Sequence, residues 1–118
     1  MHEFKRADRV SKLLREEISQ IITRDLKDPL VSFVTITITN INLTDDLKLA
    51  RVYVGILGDE EAKNKSLKGL TRAVKFIRTE LGHRTNLKYV PEIEFYYDET
   101  LEYAQKIDSL LKKIHQDD

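Results

Sequence analysis

The stretch Val34-Thr35-Ile36-Thr37-Ile38-Thr39 alternates apolar β-branched residues with threonine. Because successive side chains of a strand point to opposite faces, this alternation predicts a strand with one apolar face. The phase slips at Asn40, after which Ile41 and Leu43 occupy the opposite parity. We expect either a β-bulge at this point or the end of regular pairing.

A second strand follows a short polar turn. The turn is Thr44-Asp45-Asp46, and these residue types favour turns because their side chains hydrogen-bond to nearby backbone. Arg51 and Tyr53 alternate with apolar neighbours after it, so we expect them on the outer face of the sheet. Since so short a turn joins the two predicted strands, they should pair as a hairpin. The residues expected on the inner face are Ala50, Val52, Val54 and Ile56.

Helical periodicity appears on both sides of this hairpin. Upstream, apolar residues recur every three or four positions, which predicts a helix from about Lys5 to about Arg24 that ends before Asp28-Pro29. Downstream, the same spacing predicts a helical stretch from about Glu60 to Leu81, with Gly82 as its C-terminal cap. The apolar positions are Val10, Leu13, Leu14, Ile18, Ile21 and Ile22 in the first helix and Leu67, Leu70, Val74, Ile77 and Leu81 in the second.

A third strand and a last helix complete the chain. Alternation predicts the strand from Leu87 to Tyr97, and Pro91 indicates its start or an edge position. Asp98 or Thr100 can cap the helix, whose apolar positions are Leu101, Ala104, Ile107, Leu111 and Ile114. Alternation in all three strands predicts a sheet that is buried on one face and covered by helices. We expect a single two-layer α+β domain over residues 1–118. Whether its last few residues are ordered or disordered stays open.

Composition argues against several classes of protein. With 41% hydrophobic and 34% charged residues, the chain resembles globular domains rather than disordered tails. It has no cysteines, which excludes disulfides and thiolate metal sites. No apolar stretch approaches the ~20 residues of a membrane span, so we expect a cytoplasmic protein without a membrane partner. The histidines His2, His83 and His115 form no catalytic pattern, so we expect no enzyme activity, no cofactor and no metal.

Charge is unevenly distributed, although the formal net charge is zero. Residues 63–88 hold eight basic residues and one acidic residue, a net charge of +7, whereas residues 89–118 hold three and eight, a net charge of −5. A row of like charges on a helix repels itself unless an anion neutralises it, so we interpret the basic side of the second helix as a phosphate-binding surface. The candidate RNA-binding residues are Lys65, Lys68, Arg72, Lys75 and Arg78 on that helix, Arg84 and Lys88 after it, and Arg6, Arg9 and Lys12 near the N-terminus.

Aromatic residues that could stack on bases lie away from this row. The exposed candidates are Tyr53, Tyr96 and Tyr89, so we expect recognition of RNA shape and backbone with little readout of sequence. Gly55-Ile56-Leu57-Gly58 matches the Gly-x-x-Gly loop of KH domains, but it follows a strand instead of joining two helices, and we interpret it as a strand end. The alternative is a protein-interaction module that binds through the acidic C-terminal region and the tyrosines.

Five segments, in this order and spacing, resemble the ribosome-binding factor A family over nearly the whole chain. They are Arg6-Ala7-Asp8-Arg9-Val10, Asp28-Pro29, Asp46-Leu47-Lys48-Leu49-Ala50-Arg51-Val52-Tyr53-Val54, Phe76-Ile77-Arg78-x-x-Leu81 and Val90-Pro91-Glu92-Ile93-x-Phe95-x-x-Asp98. The resemblance implies a type II KH-like fold with a kinked second helix. It also implies a bacterial assembly factor that binds the 30S ribosomal subunit and its 16S rRNA, helps to mature the 5′ end of that RNA and supports growth in the cold. We expect a monomer, and whether ribosomal proteins or an assembly GTPase share the interface stays open.

The kink is where this chain departs from the family pattern. The family commonly carries Ala-x-Gly there, whereas this chain has Ala73-Val74-Lys75. Lysine adopts helical conformation readily, so we expect a shallower kink at these residues. We also expect the added charge of Lys75 to compensate for the missing glycine.

Overall fold

Helices and strands follow the predicted order as far as the third strand, and most of the predicted last helix lies outside the described residues. The structure, a computed structural model, describes residues 2–26, 35–100 and 110–111. Its elements are α1 (His2–Gln20), a π-helical turn (Ile21–Asp25), β1 (Ile36–Leu43), β2 (Leu49–Ile56), α2 (Glu60–Arg72), α3 (Val74–Arg84) and β3 (Glu92–Tyr97). The strands form one sheet in the order β1-β2-β3, with β1 antiparallel and β3 parallel to β2. This is the two-layer α+β arrangement that the sequence pattern predicts, and it agrees with the type II KH-like fold that the family resemblance implies.

The first helix extends close to its predicted end. Leu14, Ile18 and Ile21 are fully buried, as their spacing predicts. The last turn differs, because the Leu26 N–H donates to the Ile21 carbonyl oxygen at 3.0 Å and closes a wider, π-type turn. Asp28-Pro29 lies outside the described residues.

The phase slip in the first strand is a bulge. The register shifts between Ile38 and Asn40, so that Thr39 is the extra residue and Ile41 pairs opposite Val52. Beyond the bulge, Ile41 returns to the buried side of the sheet. Of the two alternatives left open at Asn40, the bulge is therefore confirmed and the end of pairing is excluded, since β1 continues to Leu43; residue 34 itself is not among those described.

The third strand is shorter than predicted. It begins at Glu92, and residues 87–91 form a loop instead of pairing. Pro91 has no N–H to donate to a ladder, and the Pro91 carbonyl accepts from the Arg78 side chain. At its far end, the Asp98 N–H donates to the Val54 carbonyl oxygen at 2.8 Å. Asp98 also accepts from the Thr100 N–H, so it caps the start of the next helical segment.

The predicted second helix is divided into two. Asp59 caps α2 by accepting a hydrogen bond from the Ala62 N–H at 2.8 Å. Ala73 separates α2 from α3 with φ −88° and ψ −1°, and Lys75 lies within α3. A break at the family's kink position is therefore present without the glycine. The predicted cap at Gly82 is wrong, because α3 continues past it to Arg84.

The core lies between one face of the sheet and the helices. α1 packs on β1, α2 on β2 and β3, and α3 on β3 and α1. Full burial of an aliphatic side chain contributes roughly 1.5–3 kcal/mol, so this layer accounts for most of the drive to fold. Its buried apolar residues are Leu14, Ile18, Ile21, Ile38, Ala50, Val52, Val54, Ile56, Leu70, Ala73, Ile77, Leu81 and Ile93.

Candidate nucleic-acid interface

The basic row follows α2 and α3 across their break. Lys68, Arg72 and Lys75 are all exposed, and they recur at spacings of four and three residues. The Ala73 N–H donates to the Gly69 and Leu70 carbonyl oxygens at 3.0 and 3.1 Å, so the chain stays coiled through the break. Neighbours at this spacing on a helix have Cβ atoms about 5–6 Å apart. The three cations therefore form a compact positive surface.

Lys65, at the start of this row, already has an anionic partner. Its ammonium lies 2.9 Å from a carboxylate oxygen of Glu61, one turn earlier on α2. The charge count over residues 63–88 overlooks this pair, because Glu61 precedes that range. Both side chains are largely exposed, so the pair itself contributes little stability. It nevertheless reduces the positive charge that Lys65 offers to a phosphate.

Arg78 is turned towards the protein rather than the solvent. Its Nε donates to the Pro91 carbonyl oxygen at 3.0 Å, and its Nη2 donates to the Val90 carbonyl oxygen at 3.1 Å. Both bonds cross from α3 to the loop before β3. The guanidinium therefore acts as a clamp on this loop, which distinguishes Arg78 from the exposed cations of the row.

Arg84 is also engaged by protein groups. It forms ion pairs with Asp25, at the end of the π-helical turn, and with Glu80, whose carboxylate oxygen lies 3.3 Å from Nε. These contacts tie the π-helical turn that follows α1 to the end of α3. Two carboxylates beside one guanidinium leave little net positive charge for RNA at this position.

Arg6 and Lys88 are brought together at a groove, although they are far apart in sequence. The groove has a volume of about 1030 Å³ and lies between the start of α1, the β1–β2 turn and the loop before β3. Arg9 and Lys12 are exposed on α1 but do not line it. The structure therefore does not gather the predicted cations on one surface, because some lie on the helical row, some line this groove and others, such as Arg9 and Lys12, belong to neither.

Two tyrosines stack on the outer face of the sheet. The ring centroids of Tyr53 and Tyr96 are 5.6 Å apart, and the planes are inclined by 28°. Tyr96 donates a hydrogen bond to Glu94, which raises the pKa of the Tyr96 phenol, with a smaller effect from partial burial. Glu94 lies 3.7 Å from Arg51. This face is polar and carries both signs of charge.

Phe76 is an exposed aromatic residue that is absent from the candidates predicted by sequence. It is 42% exposed on α3, beside Lys75. Its position could have indicated this, because Phe76 lies outside the three-and-four stripe that contains Val74, Ile77 and Leu81. An aromatic ring is thus available next to the basic row after all.

The part of the chain that the structure describes lacks two further features. No group of three or more His, Asp or Glu side chains is arranged there to hold a metal ion. No helix there is both long enough and apolar enough to cross a bilayer.

Comparisons with known proteins identify the family. The model of the family described as ribosome-binding factor A matches residues 6–111. The crystal structure of ribosome-binding factor A from Thermus thermophilus is similar, with a TM-score of 0.65 and 24% sequence identity over 76% of this chain and 92% of that one. A Thermus thermophilus ribosome binding factor A model, fitted into a cryo-EM map of its 30S complex, is also similar. Its TM-score is 0.62, and its sequence is 23% identical over 77% of this chain and 93% of that one.

A Thermotoga maritima protein, assigned as a ribosome binding factor A and solved by NMR, is 32% identical over 75% of this chain and 79% of its own, with a TM-score of 0.53. The family model spans nearly the whole sequence. The chain therefore belongs to the ribosome-binding factor A family.

Proposed function

We propose that this chain binds the 30S ribosomal subunit by placing the exposed row on α2 and α3 against 16S rRNA phosphates. The observation that carries the proposal is the surface of Lys68, Arg72 and Lys75, which spans the break in a chain of this family. Phosphates would relieve the repulsion among the three cations. The Thermus thermophilus relative that has been fitted into a 30S map supports the subunit as the partner.

The finer role that we propose is assembly of this subunit in the cytoplasm, including maturation of the 5′ end of 16S rRNA, with importance for growth in the cold. Family membership supports this role. A protein that performs no chemistry can act on RNA only through a difference in its affinity for two RNA conformations. Each 1.4 kcal/mol of such a difference shifts the ratio of the conformations by about tenfold.

Salt dependence gives the proposal a magnitude. Each phosphate that a cation neutralises contributes a slope of roughly −0.7 to −0.9 to the log–log plot of affinity against salt concentration. The three exposed cations of the row therefore predict a slope of about −2 to −3, before any contribution from α1. Removing one of these cations should lower the magnitude of the slope by nearly one.

Co-sedimentation with isolated 30S subunits tests the proposal. The variant carries Lys68→Gln and Lys75→Gln, which remove two exposed charges and leave the clamp formed by Arg78 intact. The control is Arg51→Gln, because Arg51 is an exposed cation on the outer face of the sheet. We expect wild type and control to co-sediment and the double variant to stay in the supernatant. Equal binding of all three proteins would show that the row is not the interface.

The alternative is a protein-interaction module that does not contact RNA directly. The exposed Tyr96, which stacks on the half-buried Tyr53 on the outer sheet face, favours it, since exposed tyrosines are common in protein interfaces. A mainly apolar interface would respond little to salt, whereas phosphate binding would weaken steeply. The salt titration therefore separates the two functions.

A further inference from the structure

The groove at the start of α1 combines an exposed aromatic ring with cations from three different elements. Tyr89 is 77% exposed, the largest exposed fraction among the large hydrophobic and aromatic residues in the described part of the chain. The Lys88 ammonium lies 5.7 Å from the centroid of its ring. Arg6 comes from α1 and Lys48 from the β1–β2 turn, and both line the same groove.

Hydrogen bonds hold the turn side of the groove in place. The Asp46 carboxylate accepts from the Thr44 hydroxyl at 2.7 Å and from the Lys48 N–H at 3.1 Å. These bonds, led by the one from Thr44, hold the pKa of Asp46 below its ordinary value, because they favour the carboxylate form. Leu47 is fixed with φ 61°, where its N–H donates to the Thr44 carbonyl oxygen.

The opposite side of the groove is fixed by the clamp described above. Arg78 binds the carbonyl oxygens of Val90 and Pro91, the two residues that follow Tyr89. The Glu92 N–H then donates to the Lys48 carbonyl oxygen at 2.8 Å and joins the loop to the turn. The backbone that follows Tyr89 is therefore set before any ligand arrives, which lowers the entropic cost of binding.

The chemistry of the groove suits a nucleotide. Its volume of about 1030 Å³ is at the upper end of the range for small-ligand sites, so a base and its sugar fit. Five charged residues line the groove: the cations Arg6, Lys48 and Lys88 and the acids Asp46 and Glu92. The Asp46 carboxylate is already occupied by its own turn. An open aromatic face with cations at the rim is the combination that single-stranded nucleic acid requires.

We propose that this groove captures one unstacked nucleotide of single-stranded RNA, with its base on the Tyr89 ring and neighbouring phosphates within reach of Arg6 and Lys88. The proposal rests on the proposed function, because it assumes that the chain binds RNA. It adds a second contact, separate from the row on α2 and α3. It also gives Arg78 a positioning role, since the clamp holds the loop that carries Tyr89.

Fluorescence anisotropy with a short fluorescein-labelled oligouridylate tests the groove directly, because this RNA has little structure of its own. Base–aromatic stacking contributes about 1–3 kcal/mol per base, so Tyr89→Ala should weaken binding by about 5- to 150-fold. Tyr89→Phe keeps the ring and should bind within about twofold of wild type. Tyr96→Ala is the matched control, since Tyr96 is also exposed but lies on the outer sheet face.

Several outcomes would overturn the proposal. They are wild type that does not bind oligouridylate, Tyr89→Ala that binds as well as wild type, and Tyr89→Phe that is as weak as Tyr89→Ala. If the Tyr89→Ala protein no longer binds 30S subunits but keeps its affinity for oligouridylate, the groove holds a protein segment instead of a nucleotide. Circular dichroism should show wild-type folding, because the Tyr89 side chain is mostly outside the core.

The two proposals fail separately. If Lys68→Gln with Lys75→Gln abolishes 30S binding while Tyr89→Ala behaves as wild type in both assays, the groove proposal is wrong and the proposed function stands. If the Tyr89→Ala protein no longer binds oligouridylate while the lysine variant still binds 30S subunits, the groove proposal stands and the basic row is not the interface.

Discussion

Replacing Arg78 with alanine should destabilise the fold rather than only remove a phosphate contact. The guanidinium donates two hydrogen bonds, to the carbonyl oxygens of Val90 and Pro91, at 3.1 and 3.0 Å. A hydrogen bond from a charged donor contributes about 1.5–3 kcal/mol. Arg78 is half-buried, so water replaces part of this after the substitution. We therefore expect the free energy of unfolding to fall by roughly 1–3 kcal/mol.

Urea unfolding followed by circular dichroism measures this loss. Arg78→Lys keeps the charge but cannot donate in a fork to two carbonyl oxygens, so its stability should resemble that of Arg78→Ala. Arg51→Ala is the control, because Arg51 and Glu94 have side chains 49% and 48% exposed and such a pair contributes about 0–1 kcal/mol. The reasoning would be refuted by an Arg78→Ala protein as stable as wild type, or by full recovery of stability in Arg78→Lys.

Two further kinds of substitution probe backbone and burial. Gly58 has φ 147°, and an added Cβ would lie 2.8 Å from the Ala62 Cβ, so Gly58→Ala should cost about 1–3 kcal/mol in thermal denaturation. Gly82→Ala is its counterpart, because Gly82 lies inside α3 and an added Cβ would meet only an ordinary contact with Val90 at 3.8 Å; stability should rise by up to about 1 kcal/mol, and a loss would contradict the helix boundary. The buried Ser66 hydroxyl has no hydrogen-bond partner within the described parts of the chain, so Ser66→Ala should stabilise the protein by about 1 kcal/mol in urea unfolding. A decrease would indicate that the hydroxyl does have a partner.

Local periodicity was sufficient for most of the fold. The inner residues of β2 were identified correctly from alternation alone, because a strand in a one-sided sheet places every second residue in the core. The change in the parity of apolar residues at Asn40 was visible in the sequence, but the sequence did not show whether it marks a bulge or the end of the strand. Only pairing with β2 distinguishes a bulge from a strand end, since the evidence for continuation lies in the partner strand.

The errors at element ends have a common cause. Gly82 suggested a cap and Leu87 suggested a strand start, yet α3 continues to Arg84 and β3 begins at Glu92. Both ends are set by groups far away in sequence. The Arg78 side chain holds the loop before β3, and Arg84 binds Asp25 at the end of the π-helical turn. Such contacts leave no periodic signal.

In the candidate site, too, the sequence shows which residues are charged, and the tertiary structure decides what they contact. The sequence by itself determined that positive charge concentrates in residues 63–88 and that the family is one of ribosome-binding factors. Only the tertiary structure separated exposed Lys68 and Lys75 from the clamp formed by Arg78, and only it brought Arg6 and Lys88 to one groove around Tyr89. The physical reason is that periodicity fixes the face of a helix or strand on which a residue lies. The groups that its side chain contacts depend on how segments that are distant in sequence pack together.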